Sequence, residues 1–107
     1  MGREPSTSQQ RARWLGKWRD WLLDHTDEVS TLVQLEVGKS WGDAAAEVLL
    51  GTQVANYWID TAADFLADES VRPSGAANAA KKLTIVYEPY QLVGVITPWN
   101  GPLAGPP

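Results

Sequence analysis

The feature that most constrains this chain is a short run near its end, Leu92-Val93-Gly94-Val95-Ile96-Thr97, which is apolar on both faces and closed by Pro98. A strand without a polar face belongs inside a parallel sheet, with neighbours on both sides and layers above and below. Only one other strand is legible, Leu83-Thr84-Ile85-Val86-Tyr87, which is β-branched and aromatic and ends at Glu88-Pro89. Two strands alone are marginal. The chain stops where a sheet should begin, and therefore reads as a piece of a larger fold.

Upstream the period changes from two to 3.6. From about Ser8 to Thr26, Trp14, Trp18, Trp21 and Leu22 recur at helical spacing, with Leu15 beside them. They predict an amphipathic helix with a buried tryptophan stripe. Thr26 is the expected N-cap of a second helix, Asp27 and Glu28 suit its positive end, and Gly38 is placed to stop it. Ser40 opens a third helix, with Asp43 at capping-box spacing. Its stripe of Val48, Gly51, Ala55, Trp58, Ala62 and Phe65 carries it toward Ala67, and Gly51 suggests a close helix–helix crossing. Residues 68–80 hold Pro73, Gly75 and Asn78 and read as loop. Residues 1–10 are polar and expected to be disordered.

Composition narrows the function classes. With 107 residues, 44% hydrophobic and 21% charged, the chain is ordinary globular material. Nine Lys+Arg against 13 Asp+Glu give a net charge of −4, which argues against a nucleic-acid binder. There is no cysteine, which excludes disulfides, thiolate metal sites and a thiol nucleophile within these residues. His25 is the only histidine, so no metal site is expected; near the end of the first helix it suits the negative dipole end. No apolar run approaches the ~18 residues of a membrane span. No signal peptide is visible, and a cytoplasmic protein is expected. Met1-Gly2 with Ser6 matches the loose myristoylation pattern but reads as a polar start without a second anchor. Glu36 with Lys39 reads as a modest surface pair, and Lys81-Lys82 as solvated. No Gly-x-Gly-x-x-Gly or Walker sequence is present.

The segment Val93-Gly94-Val95-Ile96-Thr97-Pro98-Trp99-Asn100-Gly101-Pro102-Leu103 resembles the first strand and following loop of the cofactor domain in the aldehyde dehydrogenase superfamily. Tyr87-Glu88-Pro89, the Glu36-Val37-Gly38-Lys39 helix ending and the aromatic Asn56-Tyr57-Trp58 region resemble it as well. The resemblance covers about Arg11 to Leu103. It implies an α/β, Rossmann-type cofactor domain present only as its N-terminal fragment: three helices, then two strands, with residues 11–107 forming the truncated domain. It implies oxidation of an aldehyde substrate to a carboxylic acid with NAD or NADP, by a parent that is a homo-oligomer. In that family a cysteine thiolate attacks the aldehyde. The asparagine of Pro-Trp-Asn, matched here by Asn100, donates its side-chain amide to the resulting oxyanion. Ile96, Thr97, Pro98 and Trp99 match the loop that lines the cofactor cleft.

The departures bear on activity. The nucleophilic cysteine has no counterpart, and the family's cofactor-binding lysine, glycine-rich turn and general-base glutamate are absent. Gly101 stands where an aromatic residue is usual, and Ala104-Gly105-Pro106-Pro107 stands where the family continues into a helix. A frameshift, a premature stop or a truncated gene model is the expectation. This fragment alone is expected neither to bind cofactor nor to turn over substrate. One alternative is a non-catalytic interaction module that docks onto a separate or full-length dehydrogenase subunit. Another is a membrane-surface helix at residues 8–26, which the net charge of −4 disfavours.

Overall fold

A computed structural model describes residues 6–104. Three helices come first: α1 (Ser8–Asp24), α2 (Thr26–Val37) and α3 (Trp41–Phe65). Two short strands follow, β1 (Glu69–Val71) and β2 (Leu83–Ile85), with a 3-10 turn at Ala76–Asn78 between them.

Helix α1 begins in a reciprocal cap. The Thr7 hydroxyl accepts the Gln10 N–H at 3.1 Å, and the Gln10 side-chain oxygen accepts the Thr7 N–H at 3.0 Å. Of the residues 1–10 expected to be disordered, this cap places 8–10 in the first helical turn. Residues 1–5, and with them the myristoylation match at Gly2, lie outside the described residues.

The α1–α2 junction corrects one expectation. Thr26 is already the first residue of α2, and its hydroxyl donates back to the carbonyls of Leu22 and Leu23 at 3.2 and 2.9 Å. Only His25 separates the helices, so there is no room for a capping oxygen in extended backbone. His25 closes α1 instead: its Nδ1 lies 2.8 Å from the Trp21 carbonyl, and its ring stacks on the Trp21 indole at 4.2 Å. The other two caps are as the sequence predicts. Gly38 ends α2 with φ 72°, a conformation glycine adopts without penalty. The Ser40 hydroxyl opens α3 by accepting the Asp43 N–H at 3.1 Å.

Helix α3 is the spine on which α1 and α2 lie. The core is formed by Leu22, Val29, Val33, Ala44 and Val48, with Val37 and Leu103 packed on it. The α1 stripe is not the tryptophan one: Trp14, Trp18 and Trp21 are 41–59% exposed. The face turned to α3 runs through Ala12, Leu15, Gly16 and Arg19 to buried Leu22. Its small residues let the backbones approach, and a Cβ on Gly16 would stand 4.0 Å from Ile59 Cδ1. The Arg19 guanidinium reaches across and donates to Asn56 Oδ1 at 2.6 Å. The α3 stripe is buried through Val48, Gly51 and Ala55, while Trp58 and Phe65 beyond it are exposed. Gly51 does not mark a helix crossing. It faces the backbone of Leu103, and a Cβ added there would stand 3.5 Å from the Leu103 carbonyl oxygen, an ordinary contact distance.

The sheet differs most from expectation. β1 forms within the stretch read as loop and pairs antiparallel with β2, Glu69 opposite Ile85 and Val71 opposite Leu83. The Tyr87 hydroxyl donates to Glu69 at 2.7 Å across this hairpin. That hydrogen bond, with the carboxylate's charge, raises the Tyr87 pKa. Leu92–Thr97 is not a strand. It is exposed chain that no backbone hydrogen bond ties to another segment among the described residues. A strand is defined by its partners, and nothing among the described residues pairs with this stretch. The consequence is an open molecule: the radius of gyration is 19.4 Å, against about 13 Å for a compact domain of this length. Among the described residues no helix is long and apolar enough to cross a membrane.

Candidate functional site

The site begins with a charge in an apolar setting. Glu47 lies on the buried face of α3 between Ala44 and Val48 and is 5% exposed. A buried carboxylate persists when it is paired and hydrogen-bonded. Lys39, brought round by the left-handed turn at Gly38, places its Nζ 2.5 Å from Glu47 Oε2. The other oxygen, Oε1, accepts the backbone N–H of Leu103 at 3.0 Å. Burial acts to raise the Glu47 pKa. Hydrogen bonds from Lys39 and from the backbone at Leu103 and Ala104, together with the lysine's charge, outweigh it and hold the carboxyl below its ordinary value.

Lys39 has a second acceptor, the carbonyl oxygen of Asn100 at 2.5 Å. One ion pair at the α2–α3 corner thus grips both ends of the stretch Asn100–Leu103. The turn closes on itself as well. The Gly101 N–H donates to the Pro98 carbonyl at 3.2 Å, and the Thr97 hydroxyl donates to the Pro102 carbonyl at 3.0 Å. Leu103 packs on the core from the far end.

The predicted site residues fall into two groups. Thr97, Pro98 and Asn100 come together in this anchored turn. The Asn100 side chain is exposed, and its amide has no hydrogen-bond partner among the described residues, so its two N–H donors are open to solvent. Ile96 and Trp99 are 100% and 76% exposed. A small-molecule site buries most of its ligand between walls, and Ile96, Pro98 and Trp99 are exposed while Thr97 is half-buried. Among the described residues, Ile96 to Trp99 do not by themselves enclose a dinucleotide. No group of acidic, histidine or cysteine side chains suited to a metal ion occurs among the described residues.

Glu36 does not pair with Lys39; the lysine turns to Glu47 and Asn100, which satisfy it from both sides. Lys81 and Lys82 are exposed, as expected. Glu47, which anchors this turn, is the residue that sequence reasoning missed. Its signal is a lone carboxylate within the apolar stripe Ala44, Val48, Gly51, which demands a cation nearby.

Comparison with known proteins follows the same stretch. The sequence model described as the aldehyde dehydrogenase family matches residues 4–106. A succinate-semialdehyde dehydrogenase [NADP(+)] 1 of Mycobacterium ulcerans is 37% identical over 94% of this chain and 22% of its own length. A probable succinate-semialdehyde dehydrogenase [NADP(+)] of Synechocystis is 38% identical over 87% of the chain and 19% of its own length. A mitochondrial succinate-semialdehyde dehydrogenase of Oryza sativa is 33% identical over 92% and 18%. The chain therefore spans about a fifth of the length of these curated relatives. No solved structure matches it significantly.

Proposed function

The chain belongs to the aldehyde dehydrogenase family, and from that premise we propose that residues 11–107 are the N-terminal part of an NAD(P)-binding, Rossmann-type domain that oxidises an aldehyde to a carboxylic acid. In this reading Leu92–Thr97 is a core strand of a sheet whose other strands lie outside these residues. Asn100 is the oxyanion donor, and Ile96, Thr97, Pro98 and Trp99 become one wall of the cofactor cleft once the opposite wall is present. The names of the relatives make succinate semialdehyde the substrate to assay first. The parent enzyme is a cytoplasmic homo-oligomer. Without a cysteine, the 107 residues alone have no thiol to attack an aldehyde.

The observation that carries the reading is the anchored turn Pro98–Gly101, which presents the Asn100 amide unpartnered at the end of an apolar segment. A carboxamide donates without titrating, which suits stabilisation of a developing oxyanion. The test is a chimaera in which residues 6–104 replace the aligned segment of the Mycobacterium ulcerans relative. Reduction of NADP with succinate semialdehyde is expected from the chimaera and not from the 107-residue chain. Asn100→Ala in the chimaera should lower kcat about 100- to 1,000-fold with a small change in KM. Unchanged kcat would remove Asn100 from the chemistry.

A second reading is favoured by the exposed Trp14, Trp18, Trp41 and Leu92: a non-catalytic module that docks on a separate dehydrogenase subunit. A thermal melt of the chain with that subunit separates the two, since a partner for the folded form raises the melting temperature.

A further inference from the structure

We propose that Lys39 and Glu47 are positioning residues for Asn100, acting as a two-point tether that fixes the 98–103 turn against the α2–α3 corner. The role rests on the reading of Asn100 given above; the tether itself does not.

The geometry is specific in three ways. The two contacts reach far along the chain, Lys39 to Asn100 and Glu47 to Leu103. Both carboxylate oxygens are used, one on the ammonium and one on a backbone N–H, so the pair has a direction and not only a charge. And both grips are on main-chain atoms, the Asn100 oxygen and the Leu103 nitrogen, which leaves the Asn100 side chain free. An exposed surface pair would contribute little. Here Glu47 is 4% exposed at its side chain and Lys39 22%. A donor amide acts only where it is held to a fraction of an ångström, and among the described residues the turn has no sheet beside it to hold it. Lys39 is the charged side chain facing Glu47. Asp43, one turn earlier, is engaged by Ser40, and the buried residues of α1 and α2 on this face, Leu22, Val29 and Val33, carry no charge.

The test uses the 107-residue chain and nuclear magnetic resonance. The Leu103 amide should titrate with the Glu47 carboxyl, with a midpoint below the ordinary value of 4.5. In Lys39→Met the midpoint should rise, the Leu103 amide should exchange about tenfold faster, and the Asn100 resonances should collapse toward unstructured positions; Lys39→Arg, which keeps the charge, should recover most of this. If Lys39→Met does not fold, as judged by helix content, the wild-type titration and Lys39→Arg still decide. A Leu103 amide that does not respond as the pH is lowered from about 6 until the Glu47 carboxyl is protonated overturns the tether, whatever Asn100 does. In the chimaera, Lys39→Met should lower kcat about ten- to a hundredfold with KM little changed, and Lys39→Arg should restore it. If Asn100→Ala has no effect there while the Leu103 titration is seen, the oxyanion reading fails and the tether stands.

Discussion

The helical half and the stretch from Val86 to Ile96 both carry large apolar side chains yet end in opposite states. Leu22 and Val48 are 2% and 1% exposed, while Leu92 and Ile96 are 90% and 100% exposed. The difference lies in where each finds its partners. A helix satisfies its backbone locally and needs only one neighbouring face, which α1, α2 and α3 supply to one another. A strand satisfies nothing by itself, and among the described residues no backbone hydrogen bond reaches Leu92–Ile96 from another segment. Between the two halves stands the Asn100 turn, ordered because it borrows a grip from the helical side.

The sharpest way to break this contrast is a pair of truncations. Val48→Ala should cost about 2 kcal/mol of unfolding free energy, whereas Ile96→Ala should stay within about 0.5 kcal/mol, both read from denaturant midpoints. Equal losses would mean that Ile96 is packed in solution. A smaller loss should come with acid. The Glu47 pKa is lowered on folding, so its contribution is complete above pH 4.5 and disappears as pH falls through the lowered value. Lys39→Met should blunt that pH dependence. Ser40→Ala removes the α3 cap and should cost about 1 kcal/mol. Ser30 is fully buried, with no partner for its hydroxyl among the described residues; Ser30→Ala should be neutral or stabilise by up to about 1 kcal/mol.

What the sequence discloses follows the same division. The caps at Gly38 and Ser40 and the bounds of α1 and α3 are local properties, and they are legible. The buried face of α1 is masked because tryptophan signals burial more loudly than the small residues Ala12 and Gly16, whose value lies in permitting close approach to α3. Thr26 looks like a cap in the sequence, but its hydroxyl has a nearer acceptor in the preceding helix. β1 is hidden because three residues with exposed side chains carry no period. The turn residues Thr97 to Asn100 are found through the resemblance. Their anchor, Glu47, is 56 residues from Leu103 and is visible only as an anomaly in an apolar stripe.

Amide hydrogen exchange on the 107-residue chain tests the central claim most directly. The account predicts slow exchange through Val48 and Ala55 of α3, measurable protection at Leu103, and unprotected rates from Leu92 to Ile96. Protection at Leu92–Ile96 equal to that of α3 would contradict it, because that stretch would then have a strand partner in solution.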